Sequence, residues 1–265
     1  MGRLVSLFAC VACAVELAVP ASAADDGLAR ARQLYNQQQY EAAVDAAEQA
    51  RLIPGRADAA DLVAARAYLE RYRTSQAQDD LANARMRLRR LDPIRFEPRE
   101  RAEYLVGLGE TLYFDSAYGA AADVFDSILS GTELIASDQR ERILDWWADA
   151  ADRDARPQPD IDRQAVYRRV RMRMDEELAM RPGNSTAAYW HAAAARAQGD
   201  LQAAWDAAQA AWLRAPLGAD GGVKLRSDLD ELMQRGIIPE RAKLAGVPAQ
   251  RLQNEWDQFK ERWKK

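Results

Sequence analysis

The sequence is poor in the side chains that carry most protein chemistry. It has one histidine, His191, and two cysteines, Cys10 and Cys13, both near the N-terminus. A lone histidine cannot build a histidine-rich metal site, and no H-E-x-x-H run occurs. There is no P-loop, no dinucleotide glycine fingerprint and no G-x-S-x-G elbow. The glycines of 218–222 lack the preceding strand that a phosphate-cradling loop needs. Lysine is scarce as well: five lysines stand against thirty-two arginines. That bias is read as compositional, of the kind a GC-rich bacterial genome gives. The formal net charge of −4 lacks the basic surplus of a dedicated nucleic-acid binder. These absences lead to an expectation of a non-enzymatic protein with no cofactor, no metal and no nucleic-acid partner. A glycosidase-type carboxylate pair leaves no local signature, because its members need not be close in the chain. A helical-repeat enzyme or glycan-binding protein of the cell envelope therefore stays as an alternative.

What is present favours helix. Hydrophobic residues make up 48% and charged residues 29%, a foldable composition. Alanine is abundant and β-branched residues are sparse. The first residues have the form of a secretory signal. Arg3 is the positive n-region, Leu4 to Val15 an apolar stretch, and Ala21-Ser22-Ala23 a small-x-small cleavage site. The stretch is too short for a confident membrane span, and Glu16 interrupts it. A periplasmic or secreted protein is expected, with cleavage after Ala23. Cleavage would remove both cysteines, and with them disulfides and thiol chemistry. Lipidation at Cys10 is disfavoured by bulky Phe8. An uncleaved N-terminus would instead make a membrane-anchored envelope assembly factor, the one case in which a membrane is a partner.

The rest of the chain repeats. From Ala102 to Leu129 the pattern is L-x2-L-G-x2-L-x5-Y-x2-A-x3-F-x2-I, carried by Leu105, Leu108, Gly109, Leu112, Tyr118, Ala121, Phe125 and Ile128. Gly109 and Ala121 are small enough for two antiparallel helices to approach closely, while Leu112 and Phe125 fill the space beside them. A second unit covers Ser185 to Pro216, with Gly199-Asp200 as its turn and Ala204, Ala208 and Ala211 at the same spacing. Asn184 or Ser185 can cap its first helix. A third unit carries Ala31, Leu34, Tyr40, Ala43, Ala47 and Ala50, and stops at Pro54-Gly55. A weaker unit runs from Leu62 to Pro93. A degenerate pair follows Leu129, with Ile143, Leu144, Trp147 and Ala151 on one helix and Tyr167, Val170, Met174 and Leu178 on the next. The segment Arg156-Pro157-Gln158-Pro159 breaks the two apart.

Beyond Pro216 the pattern changes. Leu225, Leu229, Leu232 and Met233 form a short amphipathic helix, Gly236 and Pro239 are expected to bracket a turn, and Val247-Pro248 opens a last helix. Leu252, Trp256, Phe259 and Trp263 lie on one face of that helix. It either caps the array or docks into a partner.

The repeats resemble the tetratricopeptide family, whose unit is a helix–turn–helix of about 34 residues. The resemblance implies an all-α, right-handed superhelical array of antiparallel helix pairs with C-terminal capping helices. The divisions would be a signal peptide at 1–23, the repeats at 24–216 and the cap at 217–265. It also implies a concave groove, lined by the first helix of each pair, that holds a protein or peptide segment. Carrying the family's groove positions across gives Leu28, Arg32 and Tyr35; Arg66, Glu70 and Arg73; Val106, Glu110, Tyr113 and Phe114; and Tyr189, Ala193 and Arg196. The favoured contacts are Arg32, Tyr35, Arg66, Arg73, Glu110, Tyr113, Tyr189 and Arg196, since Tyr and Arg are frequent binding hot spots. The family's lysine–asparagine clamp for C-terminal carboxylates does not appear at these positions. His191 is expected to pack or hydrogen-bond. The arginine clusters at 85–101 and 168–173 are expected to coat solvated helix faces.

Overall fold

A computed structural model describes residues 22–131 and 136–264. All but the last two residues of the signal-like segment 1–23, including Arg3, Cys10 and Cys13, lie outside them. Among the described residues the chain is all helical. Five helix pairs follow one another: α1 (Ser22–Asn36) with α2 (Tyr40–Arg51), α3 (Ala57–Ser75) with α4 (Gln78–Leu88), α5 (Pro98–Phe114) with α6 (Tyr118–Ser130), α7 (Ser137–Ala155) with α8 (Asp160–Met180), and α9 (Ser185–Ala197) with α10 (Leu201–Arg214). Then come α11 (Val223–Leu232), α12 (Ile238–Ala245) and α13 (Ala249–Arg262). Each helix of a pair packs on its partner, and the second helix packs on the next pair. Alternate helices also touch: α1 with α3, α3 with α5, α7 with α9, and α9 with α11.

Three of the pairs share one turn. Gln38, Ser116 and Gly199 all have positive φ, at 61°, 61° and 79°. The amide of the next residue reaches back to the helix: Gln39 N donates to Leu34 O at 2.9 Å, Ala117 N to Leu112 O at 2.9 Å, and Asp200 N to Ala195 O at 3.1 Å. This is a Schellman closure, which satisfies carbonyls the helix end would otherwise leave open. Only the third turn uses glycine, so the first two hold Gln38 and Ser116 in a backbone region that other residues rarely adopt. The α3 turn, in the weaker unit, closes differently: Gln76 N donates to Tyr72 O at 2.7 Å.

Counting back from the shared turn brings out matching packing positions. Ala31, Gly109 and Ala192 lie seven residues before it, and Ala47, Phe125 and Ala208 nine residues after it. All six are buried. In the middle unit the pair is glycine against phenylalanine: a Cβ on Gly109 would stand 2.6 Å from the Phe125 ring.

The degenerate pair is held differently. Glu177 of α8 is 0% exposed and accepts from Arg140 of α7 at 2.5 Å and from Arg181 one turn on. Arg140 also donates to Leu129 O at the end of α6, at 2.7 Å. Burial pushes the Glu177 carboxyl up, but hydrogen bonds from Arg140 and Arg181 outweigh it and hold it below the usual range.

The last helix folds onto its own chain. Trp256 is 0% exposed, stands edge-on to Trp212 at 5.5 Å, and donates from Nε1 to Asp230 at 2.7 Å. Its indole therefore completes the core over α10 and α11, while Trp263 remains exposed. The expected turn at Gly236 is absent. Met233–Ile237 is a single widened π-helical turn running straight into α12. Gly236 leaves room for the Arg196 guanidinium: a Cβ would stand 2.5 Å from its Nε, and the flexible side chain would have to shift.

Two outcomes follow for stability. Gly109→Ala gains about 1 kcal/mol of helix propensity, yet overpacking against Phe125 costs about 1–3 kcal/mol. We expect a lower urea midpoint with an unchanged m-value. Glu177→Gln strands Arg140 and should cost about 3–5 kcal/mol at neutral pH. Because the folded carboxyl lies below its unfolded value, Glu177's contribution is complete above about pH 4.3. It is lost as pH falls through the folded pKa, so the gap between wild type and variant should close on acidification.

Candidate functional site

One face of each of the first four odd-numbered helices carries mostly polar and aromatic residues at helical spacing. α1 contributes Arg32 and Tyr35. α3 contributes Arg66, Glu70 and Arg73. α5 contributes Glu103, Val106, Glu110 and Tyr113. α7 contributes Arg142, Trp146, Asp149 and Arg153. Steps of three and four residues put each set on one helix face.

The structure joins these faces into one network. Arg32 pairs with Glu100 at 2.7 Å, tying α1 to α5. The Arg66 guanidinium lies 4.8 Å from the Tyr35 ring centroid and 3.5 Å from Glu103. Glu70 accepts from Arg73 at 2.9 Å and stands 3.7 Å from Arg142. Arg73 in turn covers the Trp146 ring at 5.5 Å. Tyr113 meets Trp146 edge-on at 4.6 Å and donates its hydroxyl to Asp149, which also accepts from Arg153 at 2.8 Å. A cleft of about 290 Å³ opens at one end, lined by Arg32, Tyr35, Asn36, Val63, Arg66, Glu97, Arg99, Glu100 and Glu103.

Ionisation in this network is shaped by burial. Glu110 is 4% exposed. Desolvation and then the neighbouring Glu70 charge push its carboxyl up, against the pull of Arg66, Arg142 and Arg73. Burial likewise raises the Tyr35 hydroxyl, helped by Glu110 and Glu70 and opposed by Arg66. Burial works against the charge of Arg66, but Tyr35, Glu103, Glu110 and Glu70 more than offset it, so the guanidinium stays protonated.

Six of the eight favoured contacts therefore share this site: Arg32, Tyr35, Arg66, Arg73, Glu110 and Tyr113. The other two lie elsewhere. Tyr189 lines a separate cleft of about 420 Å³ with Glu141, Asp145, Asp220, Lys224, Asp228 and Glu231. Trp190 beside it donates to Asp145 at 2.8 Å. Arg196 lies over Gly236 and pairs with Glu240 of α12 at 2.5 Å. Arg99, Glu103, Arg142 and Trp146 belong to the site but not to the set carried over by resemblance. The i, i+4 spacing of Arg142 and Trp146 was the available signal, and the degenerate pair obscured it.

Other sequence features find partners. Arg85 pairs with Asp115, and Arg87 with Asp61 and Glu48. Arg171 lies 3.5 Å from Asp200, and Arg173 bonds Asp126 at 2.6 Å. His191 Nε2 lies 3.0 Å from Asp175, and burial lowers its pKa, favouring the neutral ring. Among the described residues no group of three or more His, Cys, Asp or Glu is placed to hold a metal ion.

Glu110 provides a test of this electrostatic arrangement. Its folded carboxyl lies above its unfolded value, so the folded state holds a proton that the unfolded state releases. Stability should therefore fall as pH rises from about 4.3 through the folded pKa. Glu110→Gln should remove that fall, and urea midpoints measured from pH 4 to 8 would reveal it. Equal pH slopes for the two proteins would refute the assignment.

No protein-family model matches the chain, and no curated protein matches it in sequence.

Proposed function

We propose that the protein is an exported, non-enzymatic scaffold that holds a segment of another protein along the face formed by α1, α3, α5 and α7. The observation that carries this reading is the open 290 Å³ cleft bordering a ribbon of arginine, glutamate and aromatic side chains contributed by four helices. Exposed rims of Arg and Glu flank half-buried Tyr35, Tyr113 and Trp146, the mixture of rigid aromatics and charged groups that makes hot spots. The repeated turns and matched packing positions support a helical-repeat array of the tetratricopeptide kind; its right-handed superhelix, with this face concave, is part of the proposal. Export rests on the N-terminal pattern ending at Ala23.

Crosslinking in the native host, followed by mass spectrometry, should recover a specific partner whose crosslinks fall on α1, α3, α5 and α7. The combined variant Arg32→Ala, Tyr35→Ala, Glu110→Gln and Tyr113→Ala should lower partner recovery at least tenfold while its helical circular dichroism is retained. Undiminished recovery would sink the groove reading. N-terminal sequencing of the mature chain should begin at Ala24; a retained Met1 would favour an anchored assembly factor.

A further inference from the structure

At the side of the first cleft, arginines from three helices converge on a small notch. Arg66 comes from α3, Arg99 from α5 and Arg142 from α7, with Glu103 and Gln139 beside them. The notch holds about 30 Å³, on the scale of one water or one carboxylate head. Its lining sets three guanidinium groups against one carboxylate, with Glu70 beside Arg142 and the charges of Glu70 and Glu110 acting on Arg66 from behind.

These guanidinium groups are underused. Among the described residues their acids stand off at ion-pair range: Arg66 to Glu103 at 3.5 Å, Arg99 to Glu103 at 3.4 Å, and Arg142 to Glu70 at 3.7 Å. None of these contacts is a well-formed hydrogen bond. Arg66 is the decisive case. Its side chain is only 9% exposed, and among the described residues its Nε meets no hydrogen-bond acceptor. Arg87 and Arg140 are as buried and also leave Nε open, but they commit terminal nitrogens to Asp61 and Glu48, and to Leu129 and Glu177. Arg66 is thus countered by charge at longer range but makes no short hydrogen bond to those acids, so its terminal nitrogens can take an acceptor that enters the notch. The Tyr35 ring lies against its face and helps to hold its plane.

The acceptor that matches a planar fork of donors is a carboxylate, whose two oxygens meet it in parallel. We propose that the notch of Arg66, Arg99 and Arg142 binds a carboxylate carried by the ligand that lies in the adjoining cleft against Tyr35 and Val63. This rests on the groove reading for its occupant: an acidic side chain or the C-terminus of a protein segment. A small free acid offers the same group. The notch differs from a solvated arginine face because guanidinium groups from three helices line one small volume and, among the described residues, meet their acids there only at 3.4–3.7 Å.

The test uses the full purified chain immobilised and challenged with three acetylated decapeptide libraries. One has a fixed glutamate and an amidated end, one has glutamine in its place, and one has glutamine with a free C-terminal carboxylate. Glutarate and inorganic phosphate are titrated separately by calorimetry. Retention of a carboxylate-bearing library at least tenfold above the amidated glutamine library is expected. Arg99 and Arg142 have side chains 82% and 39% exposed, so the double variant Arg99→Gln, Arg142→Gln should keep its fold and lose that preference. Arg66→Lys, checked by thermal melting, should also lose it, since lysine keeps the charge but not the fork. Equal retention of all libraries, with no glutarate binding, overturns the notch and leaves the groove standing. Glutarate binding with no library retained supports the notch with a free acid as its ligand, and overturns the groove. Phosphate binding more tightly than glutarate overturns the carboxylate assignment. No binding of any probe overturns both readings.

Discussion

The contact between Arg140 and Glu177 fixes the centre of the molecule. It is a fully buried ion pair placed where the repeat pattern degenerates, between α7 and α8. Arg140 also completes the last turn of α6 by donating to the Leu129 carbonyl. One side chain thus sets the positions of three consecutive helices. The helix pairs before it present Arg66, Glu70 and Glu110, and α7 itself presents Arg142 and Trp146. Had α7 been rotated by one residue, Arg142 would leave Glu70 and the arginine notch would lose a wall. A buried pair of this kind is weak evidence for net stability, but it penalises every arrangement that separates the two charges.

Two kinds of charge coexist in the fold. Arg87 bonds buried Asp61 and partly exposed Glu48, and Arg140 bonds buried Glu177, so their terminal nitrogens lock helices together. Arg66, Arg99 and Arg142 face a cleft and meet their acids only at longer range. The contrast follows from position. The first group is sandwiched within or between neighbouring helix pairs, while the second lines the side along which α1, α3, α5 and α7 supply polar residues. Glu110 belongs with the second. Burial and the neighbouring Glu70 charge push its carboxyl up, while Arg66, Arg142 and Arg73 pull it down.

Much of the architecture was legible from residue spacing. The small positions Gly109, Ala121 and Ala204 mark where helices touch, and Trp147, Val170 and Met174 fall in the core as their periodicity required. The three clearest sequence units are the three that share one hydrogen-bonded turn. Side-chain partners were less legible. Tyr189 and Arg196 occupy the repeat positions that Tyr35 and its neighbours suggested, yet one lines an acidic cleft and the other is covered by α12. Local pattern gives a residue's helix face; it does not give what later folds over that face. The turn expected at Gly236 failed for the same reason, since that residue lies in a π-helical turn under the Arg196 side chain, forty residues away.

The sequence by itself determined the helices, their order, the small residues at their crossings and the scarcity of reactive side chains. Those properties depend on neighbours within a few residues along the chain. Only the tertiary structure decided which arginines are consumed and which are left open. That distinction is drawn by contacts from Arg66 to Tyr35 and Glu103, from Arg142 to Glu70, and from Arg140 to Glu177. Each of them joins residues thirty or more positions apart, a separation at which spacing along the chain carries no information about distance in space.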